Sequence, residues 1–266
     1  MKLKKILGCL ASLLLVGSLS SCQIWGDNGG SSNGGGCNGL PGKEEWTLDD
    51  VNEFLNTTKN EGGIFDPSNT VAVIPFNHIN GPRLEWSFFA LVNFEYDTGF
   101  YWKYQVTFLS CTCRSADVNY WSTAFVTLTS NNETPDDMQV TQISFEKDDT
   151  NHYGAGFWGD SDPIPGSGGG TGPADSESGS NSVTYEDIRD GLCKPLEGIT
   201  YGELKTWTCG KNPDGTDDNL YDHVDKEKHP EIYENLTKWS GASVSTNNII
   251  RMLQAVCEYH IKEGRA

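Results

Sequence analysis

Four small residues near the C-terminal end of the chain have the types and spacing of a phosphate-binding segment. Ser240, Gly241, Ala242 and Ser243 are followed by Ser245, and a helical pattern begins directly after them. Small side chains leave the backbone N–H groups of a helix start accessible, and the helix dipole places positive partial charge there. The segment therefore predicts a site for a phosphate group. Its alternative interpretation is a simple helix cap, since small hydroxyl residues are common there too.

The helix after this segment must pack on another part of the protein through one face. Within residues 247–261 one apolar stripe is formed by Ile249, Ile250, Leu253, Val256 and Cys257. This spacing is typical of an amphipathic helix. We expect the stripe to pack on a sheet, so that the sheet holds the phosphate segment in place.

The segment and its helix resemble those of the FMN-binding domain family, which occurs in subunits of respiratory sodium pumps and in surface flavoproteins of extracellular electron transfer. In that family a Ser/Thr-Gly-Ala-Thr/Ser segment opens a helix, and a flavin transferase can join its last hydroxyl to the FMN phosphate. Ser240, Gly241, Ala242 and Ser243 match, so the resemblance implies attachment at Ser243. The chain departs from the family in having Thr237 where an aspartate is usual, and serine in place of threonine at the acceptor.

Taken loosely, the resemblance covers residues 118–260. It implies FMN as the cofactor and electron transfer rather than conversion of a substrate, with a flavin transferase and a membrane electron donor as partners. Trp121, Trp158 and Trp239 are the tryptophans that could face the flavin ring. Buried aromatic residues are the usual content of a sheet, so a position in the core is the alternative for each of them.

Cys22 is expected to carry a lipid. It ends a Leu-Ser-Ser-Cys segment that follows three lysines and an apolar run over residues 6–16. The run is too short for a membrane span and is typical of an export signal. The segment resembles a bacterial lipobox, in which the cysteine receives a diacylglyceryl group and a further acyl chain such as palmitate. We therefore expect removal of residues 1–21 and anchoring at Cys22 on the outer face of the cell membrane, on the extracellular or periplasmic side.

The chain is strongly acidic. It has 37 acidic and 19 basic residues and a formal net charge of −18 at pH 7. Removal of residues 1–21, which contain three lysines and no acidic residue, takes this charge to −21. Such a charge argues against nucleic acid as a partner and against docking on anionic headgroups, so the lipid remains the expected contact with the membrane.

Six cysteines remain beyond the signal and the lipidated residue: Cys37, Cys111, Cys113, Cys193, Cys209 and Cys257. An even number in an exported chain suggests disulfides, but six cysteines permit fifteen pairings. The favoured pair is Cys193 with Cys209, because these two bracket a short predicted helix. Cys111 and Cys113 could also ligate zinc, but no second pair at metal spacing accompanies them, so no metal site is expected.

The predicted fold class is α+β, with an antiparallel sheet and helices packed against it. Residues 22–42 have the Gly/Ser/Asn composition of a flexible tether. Residues 43–266 then form the folded domain. It begins with a helix over residues 46–56, at which Thr47 and Asp50 form a capping box. Alternating patterns predict strands over residues 86–96 and 102–108, joined by a turn at 97–99, and further strands over 118–129 and 138–145.

The part of the chain after this sheet is predicted to be helical. Thr184 and Thr200 begin capped helices, and Gly210 ends the second of them. Residues 163–182 are rich in Gly, Ser and Pro and predict either a mobile surface loop or an interdomain linker. If they are a linker, residues 183–266 would form a separate helical domain.

A non-catalytic surface lipoprotein is the alternative function. Trp102, Tyr120 and Trp121 on an antiparallel sheet would suit a carbohydrate or another ligand if they were exposed. No Gly-x-Ser-x-Gly elbow joins a predicted strand to a predicted helix, and His-Glu-x-x-His is absent from the sequence. The polar cluster around His223 and His229, and the acidic turn at residues 212–219, are interpreted as solvated loops.

Overall fold

The computed structural model describes residues 45–65, 68–79, 85–111, 118–145, 188–238 and 246–266, without the side chains of residues 61, 111, 118 and 120. The predicted signal over residues 1–21, the tether over 22–42 and the loop over 163–182 lie outside these ranges, as do Cys22 and Thr184. In the described part of the chain, no helix has both the length and the apolar character needed to cross a membrane.

The described elements form an α+β fold around one sheet, as predicted. Its strands are β1 (Lys59–Gly62), β2 (Ala72–Ile79), β3 (Glu85–Asp97), β4 (Tyr101–Cys111), β5 (Val118–Thr129) and β6 (Val140–Phe145). The strand order is β1-β5-β4-β3-β2, and β6 pairs with β5 farther along that strand than β1. The strands pair antiparallel, apart from β1 with β5.

The remaining described elements are mostly helical and follow the sheet in sequence, apart from α1, which precedes it, and a 3₁₀ turn (Pro135–Asp137) between β5 and β6. They are α1 (Leu48–Thr57), a π-helical turn (Arg189–Cys193) that runs into α2 (Lys194–Leu196), α3 (Tyr201–Leu204), the short hairpin β7 (Gly210–Lys211) with β8 (Asp217–Asp218), a second 3₁₀ turn (Leu220–His223), α4 (Pro230–Lys238) and α5 (Thr246–Lys262). The β7–β8 hairpin occupies the acidic segment predicted to be a turn.

The capping box predicted for the first helix is confirmed. The hydroxyl of Thr47 accepts a hydrogen bond from the backbone of Asp50, and the Asp50 carboxylate accepts one from the backbone of Thr47. The helix then places Phe54 edge-on against Phe89 and Trp121 of the sheet, with ring centroids 5.8 and 6.4 Å apart. α1 therefore covers part of one sheet face.

Both faces of the sheet are covered near its middle, which explains an irregularity of the sequence pattern. Phe89 and Leu91 interrupt the expected polar face of β3, and both are completely buried. They lie on the part of the sheet near α1, whereas α5 packs across β2 and β4 on the other face. A strand covered on both sides reads as a continuous apolar run instead of an alternating one.

The predicted hairpin is confirmed, but its facing pattern is partly wrong. The turn has Gly99 at φ +89°, and the Asp97 carboxylate accepts a hydrogen bond from its N–H at 2.6 Å. A β-bulge at Asn93 shifts the register, so Val92 pairs with Val106 but Phe94 pairs with Gln105. Phe94 and Tyr96 therefore face the side opposite to Val92, although the sequence pattern put all three on one face.

The helix predicted to run from Thr200 to Gly210 is shorter than expected. Thr200 caps it, as predicted, by accepting a hydrogen bond from the backbone N–H of Glu203 at 3.3 Å. The helix ends at Leu204 because the carbonyl groups of Leu204 and Trp207 accept hydrogen bonds from Gln254 of α5, at 2.7 and 2.8 Å. Contact with α5 thus replaces continuation of α3.

The favoured disulfide between Cys193 and Cys209 is wrong. Both thiols, and that of Cys257, are free. Cys193 is buried in the core at the end of the π-helical turn, whereas the Cys209 sulfur lies 3.5 Å from a guanidinium nitrogen of Arg251. Burial raises the pKa of the Cys193 and Cys257 thiols, so these two are inert core residues.

Candidate functional site

The structure locates the end of the predicted phosphate segment but not the segment itself. Ser240, Gly241, Ala242, Ser243 and Ser245 lie outside the described residues, and so do Trp158 and Trp239. The description resumes at Thr246, which is the first residue of α5. The helix predicted to follow the segment is therefore present, and its predicted apolar stripe is buried throughout.

The first turn of α5 is fixed to the ends of two strands. Asn248 is buried; its amide oxygen accepts a hydrogen bond from the N–H of Ile79 at 2.6 Å, and its amide nitrogen donates to the carbonyls of Ile79 and Ser110 at 2.9 and 3.1 Å. These bonds satisfy backbone N–H and carbonyl groups at the ends of β2 and β4. The position of the helix start relative to β2 and β4 is thus defined.

The two residues before Asn248 are the unusual feature of the site. Thr246 and Asn247 are both completely buried, yet the Thr246 hydroxyl and both amide atoms of Asn247 have no hydrogen-bond partner among the residues that the structure describes. A buried polar group without a partner costs about 1–3 kcal/mol, and native proteins contain few of them. The first turn also has no acidic residue, so only the positive end of the helix dipole acts there. The Thr246 hydroxyl and the Asn247 amide nitrogen are donors that suit an anion, whereas the Asn247 amide oxygen needs a donor of its own.

One turn farther along, Arg251 is almost completely buried within α5. Its guanidinium lies 2.5 Å from the Glu85 carboxylate and donates to the Gln254 side chain at 2.7 Å and the Trp207 carbonyl at 3.3 Å. Its Nε is buried and has no partner in the described residues. Sequence reasoning missed this residue, although a lone arginine in an otherwise uncharged stretch of the helix was a signal that it is paired.

The opposite end of α5 carries a second buried polar group. The Tyr104 hydroxyl lies 2.6 Å from Nδ1 of His260, and Arg265 donates to the same oxygen at 3.3 Å. The guanidinium of Arg265 also binds both carboxylate oxygens of Glu95, at 2.7 and 2.8 Å. This network closes the C-terminal end of the chain onto β3 and β4. The sequence suggested only that His260 lies near a helix end.

The aromatic residues expected to be exposed are largely covered. Trp121 is completely buried, and its indole N–H donates to Asn60 at 2.9 Å, so it belongs to the core rather than to a ligand surface. Trp102 is half-buried beneath the Arg265 guanidinium, which lies 4.0 Å from the ring centroid. The side chain of Tyr120 is outside the described residues. Trp121 therefore cannot contribute to the predicted ligand surface, and Trp102 is already covered on one side by Arg265.

The polar positions around the site have ordinary local partners. Thr237, which stands where the resembled family has aspartate, donates to the Tyr233 carbonyl of its own helix at 2.7 Å. His223 lies 2.5 Å from Asp218, and His229 lies 3.5 Å from Glu203. No grouping of three metal-ligating side chains occurs among the described residues.

The architecture thus defines an α+β protein in which a long helix begins at a buried, polar corner of the sheet. Comparison with family models, with curated proteins and with solved structures found no match.

Proposed function

We propose that this protein is a surface-anchored lipoprotein that binds FMN and transfers electrons outside the cell. The observation that supports the proposal most directly is the pair Thr246 and Asn247, whose buried hydroxyl and amide have no partner in the described residues. Such groups require an ordered partner, and a phosphate oxygen at a helix start is a suitable one.

Each residue of the proposed site has a distinct role. The backbone N–H groups over Ser240, Gly241 and Ala242 would bind the FMN phosphate, and Ser243 would carry it as a phosphodiester. The hydroxyls of Ser245 and Thr246 and the Asn247 amide would donate to the remaining phosphate oxygens. Asn248 does not touch the ligand in this arrangement but fixes the helix start through Ile79 and Ser110. When bound, FMN supplies the redox chemistry, which the protein side chains lack.

The proposed location follows from the N-terminal sequence. Lipidation at Cys22 would keep the protein at the outer face of the membrane, where a dissociated cofactor would be lost by diffusion. Attachment through Ser243 would prevent that loss. A strongly acidic surface, with a formal charge of −18 for the whole chain, agrees with contact through the lipid instead of through anionic headgroups.

The intact mass of the protein tests this proposal after co-expression with a flavin transferase. We expect the wild-type mass to increase by one FMN unit less one water, and the Ser243→Ala variant to lack this increase. Thr237→Ala is the matched control, because it removes a hydroxyl close to the segment in sequence, one that bonds only within its own helix, and leaves the proposed acceptor in place. It should keep the covalent flavin.

Two outcomes would contradict the proposal at different levels. An unchanged mass for every variant would exclude covalent attachment. A flat visible spectrum after incubation with free FMN would also exclude non-covalent binding. Asn247→Asp then tests the helix start itself, since a carboxylate there would repel the phosphate and should weaken FMN binding at least about tenfold.

A further inference from the structure

The sheet face opposite α5 is open at one end and carries five exposed aromatic rings. Tyr96, Phe94, Tyr101 and Phe125 are between 40% and 57% exposed, and Phe100 at the hairpin tip is 78% exposed. We call these five residues the aromatic face. Grouped exposed rings of this kind mark interaction sites, whereas single ones need no explanation.

The strand register arranges the aromatic face in rows. One row runs across three strands from Phe94 through Gln105 to Phe125, so the two rings lie two strand spacings apart, about 10 Å. The rings of Phe94 and Tyr96 are nearly parallel, with an interplanar angle of 14° and centroids 6.5 Å apart. Phe94 and Tyr96 therefore form an exposed parallel pair of rings, which we call the platform.

A polar row lies beside the platform. It runs from Tyr96 through Lys103 and Thr127 to Gln142. A shallow depression of about 380 Å³ opens there, lined by Tyr101, Lys103, Thr127, Thr141, Gln142 and Glu197. Its lining is mostly polar, so it offers hydrogen-bonding groups rather than apolar walls.

Thr141 donates to the Thr127 carbonyl at 3.1 Å, but three other polar side chains of the depression have no partner among the described residues, and their charges cancel. The Lys103 ammonium, the Gln142 amide and the Glu197 carboxylate make no side-chain hydrogen bond or ion pair within the part of the chain that the structure describes. Lys103 and Glu197 give this surface no net charge, although the chain as a whole carries −18. Because electrostatic complementarity selects partners, a neutral surface on an acidic protein suits an uncharged ligand.

We propose that the aromatic face and this depression bind a neutral oligosaccharide. A pyranose ring has an apolar C–H face, which stacks on a flat aromatic ring, and a rim of hydroxyl groups that donate and accept hydrogen bonds. The platform meets the first requirement, and Lys103, Gln142 and Glu197 meet the second. An apolar protein partner would leave these three polar groups buried and unpaired. The site lies on the face opposite α5, so it does not depend on the proposed flavin site.

Calorimetric titration of the full mature chain with chitohexaose, cellohexaose and mannohexaose tests the site. We expect at least one of them to bind, and Tyr96→Ala and Lys103→Ala each to weaken that binding about tenfold. Leu48→Ala on α1 and Lys262→Ala at the end of α5 are the matched controls. Both remove an exposed side chain that belongs neither to the aromatic face nor to the depression, and both should bind like the wild type.

Three results would overturn the proposal. The first is that none of the three sugars binds at millimolar concentration. The second is that Tyr96→Ala and Lys103→Ala bind as tightly as the controls. The third is a wild-type dimer in analytical ultracentrifugation that Tyr96→Ala converts to a monomer, since the aromatic face would then be a contact between copies of the chain. All the substituted side chains are exposed, so each variant should unfold at the wild-type temperature.

Discussion

At the residue scale, two buried imidazoles make the stability of the fold depend on pH. His78 donates a hydrogen bond from a ring nitrogen to the Leu109 carbonyl at 3.1 Å, and Nδ1 of His260 accepts one from the Tyr104 hydroxyl. Arg265 already donates to the Tyr104 oxygen, which leaves the hydroxyl proton for Nδ1 of His260. Burial lowers the pKa of both histidines from 6.5 to about 4, so both are neutral in the folded protein near neutral pH.

Acid should therefore destabilise the protein before its carboxylates are fully protonated. Between about pH 6.5 and pH 4 the unfolded chain binds protons that the folded imidazoles do not, so the free energy of unfolding falls as the pH is lowered through this window. For His78 the loss should be about 3 kcal/mol at pH 4. Urea unfolding at a series of pH values measures it.

The comparison with His78→Gln separates this effect from opposing ones. Burial raises the pKa of Glu85 and Glu258, which would stabilise the folded state towards acid, but these carboxylates are the same in both proteins. The wild type should lose more stability than the variant between pH 6.5 and pH 4. In the wild type, His78 imidazole proton resonances that titrate near pH 6.5, assigned as those absent from the variant, would contradict the prediction directly.

At the element scale, the chain segment after β1 makes an unusually close contact with the sheet. Gly63 has φ +71°, and a Cβ atom there would lie 2.8 Å from both Thr107 Cγ2 and Trp121 Cβ. The next residue is held in place because its N–H donates to the Thr123 hydroxyl and its carbonyl accepts from the Thr107 hydroxyl, both at 3.0 Å. The segment cannot move away from the sheet without breaking these bonds.

Gly63→Ala should consequently destabilise the protein strongly. We expect a loss of about 3–5 kcal/mol in the free energy of unfolding, because backbone strain and overpacking act together. Gly99→Ala is the matched control: Gly99 has φ +89° but no atom within 4 Å of the Cβ position, so only the backbone strain of about 1–2 kcal/mol remains. Equal losses for the two variants in urea unfolding would show that the close contact is not limiting.

Local interactions decided which elements could be predicted from the sequence. The capping box at Thr47 and the turn at Gly99 involve neighbours within three residues, and both were predicted. The bulge at Asn93 was not, because its side chain bonds the Ile64 carbonyl and the Thr107 hydroxyl, which are distant in sequence. That single shift turned Phe94 and Tyr96 outwards and created the aromatic face.

At the candidate site at the start of α5, too, local features could be predicted from the sequence and long-range contacts could not. Its apolar stripe followed from helical periodicity and is confirmed. The burial of Arg251 and Gln254 on the remaining sides of the helix could not be predicted, since it depends on the segment around Trp207 packing against α5. Periodicity predicts which face of a helix is buried, but it does not predict that another segment also covers the polar sides of that helix.

At the scale of the whole molecule, the chain before residue 146 and the chain after residue 187 contribute to one core. The backbone N–H of Gly198 donates to the Val140 carbonyl at 2.7 Å, and that of Tyr201 donates to the Met138 carbonyl at 2.7 Å. α5 packs across β2 and β4, and its buried apolar residues belong to the same hydrophobic cluster as those strands. Removing α5 would expose one face of the sheet to water.

We therefore predict that neither part folds alone, which would argue against a separate helical domain over residues 183–266. Residues 45–145 and 188–266, expressed separately, should lack a cooperative thermal transition because each would expose apolar surface that the other now covers. A full chain cut at a protease site inserted between residues 145 and 188 is the control. Its two parts should co-elute in size-exclusion chromatography and unfold together in one transition. If the C-terminal fragment instead unfolds cooperatively by itself, the interdomain linker is correct, and the buried corner at Thr246 and Asn247 would have to form without the Asn248 contacts to Ile79 and Ser110 that define it.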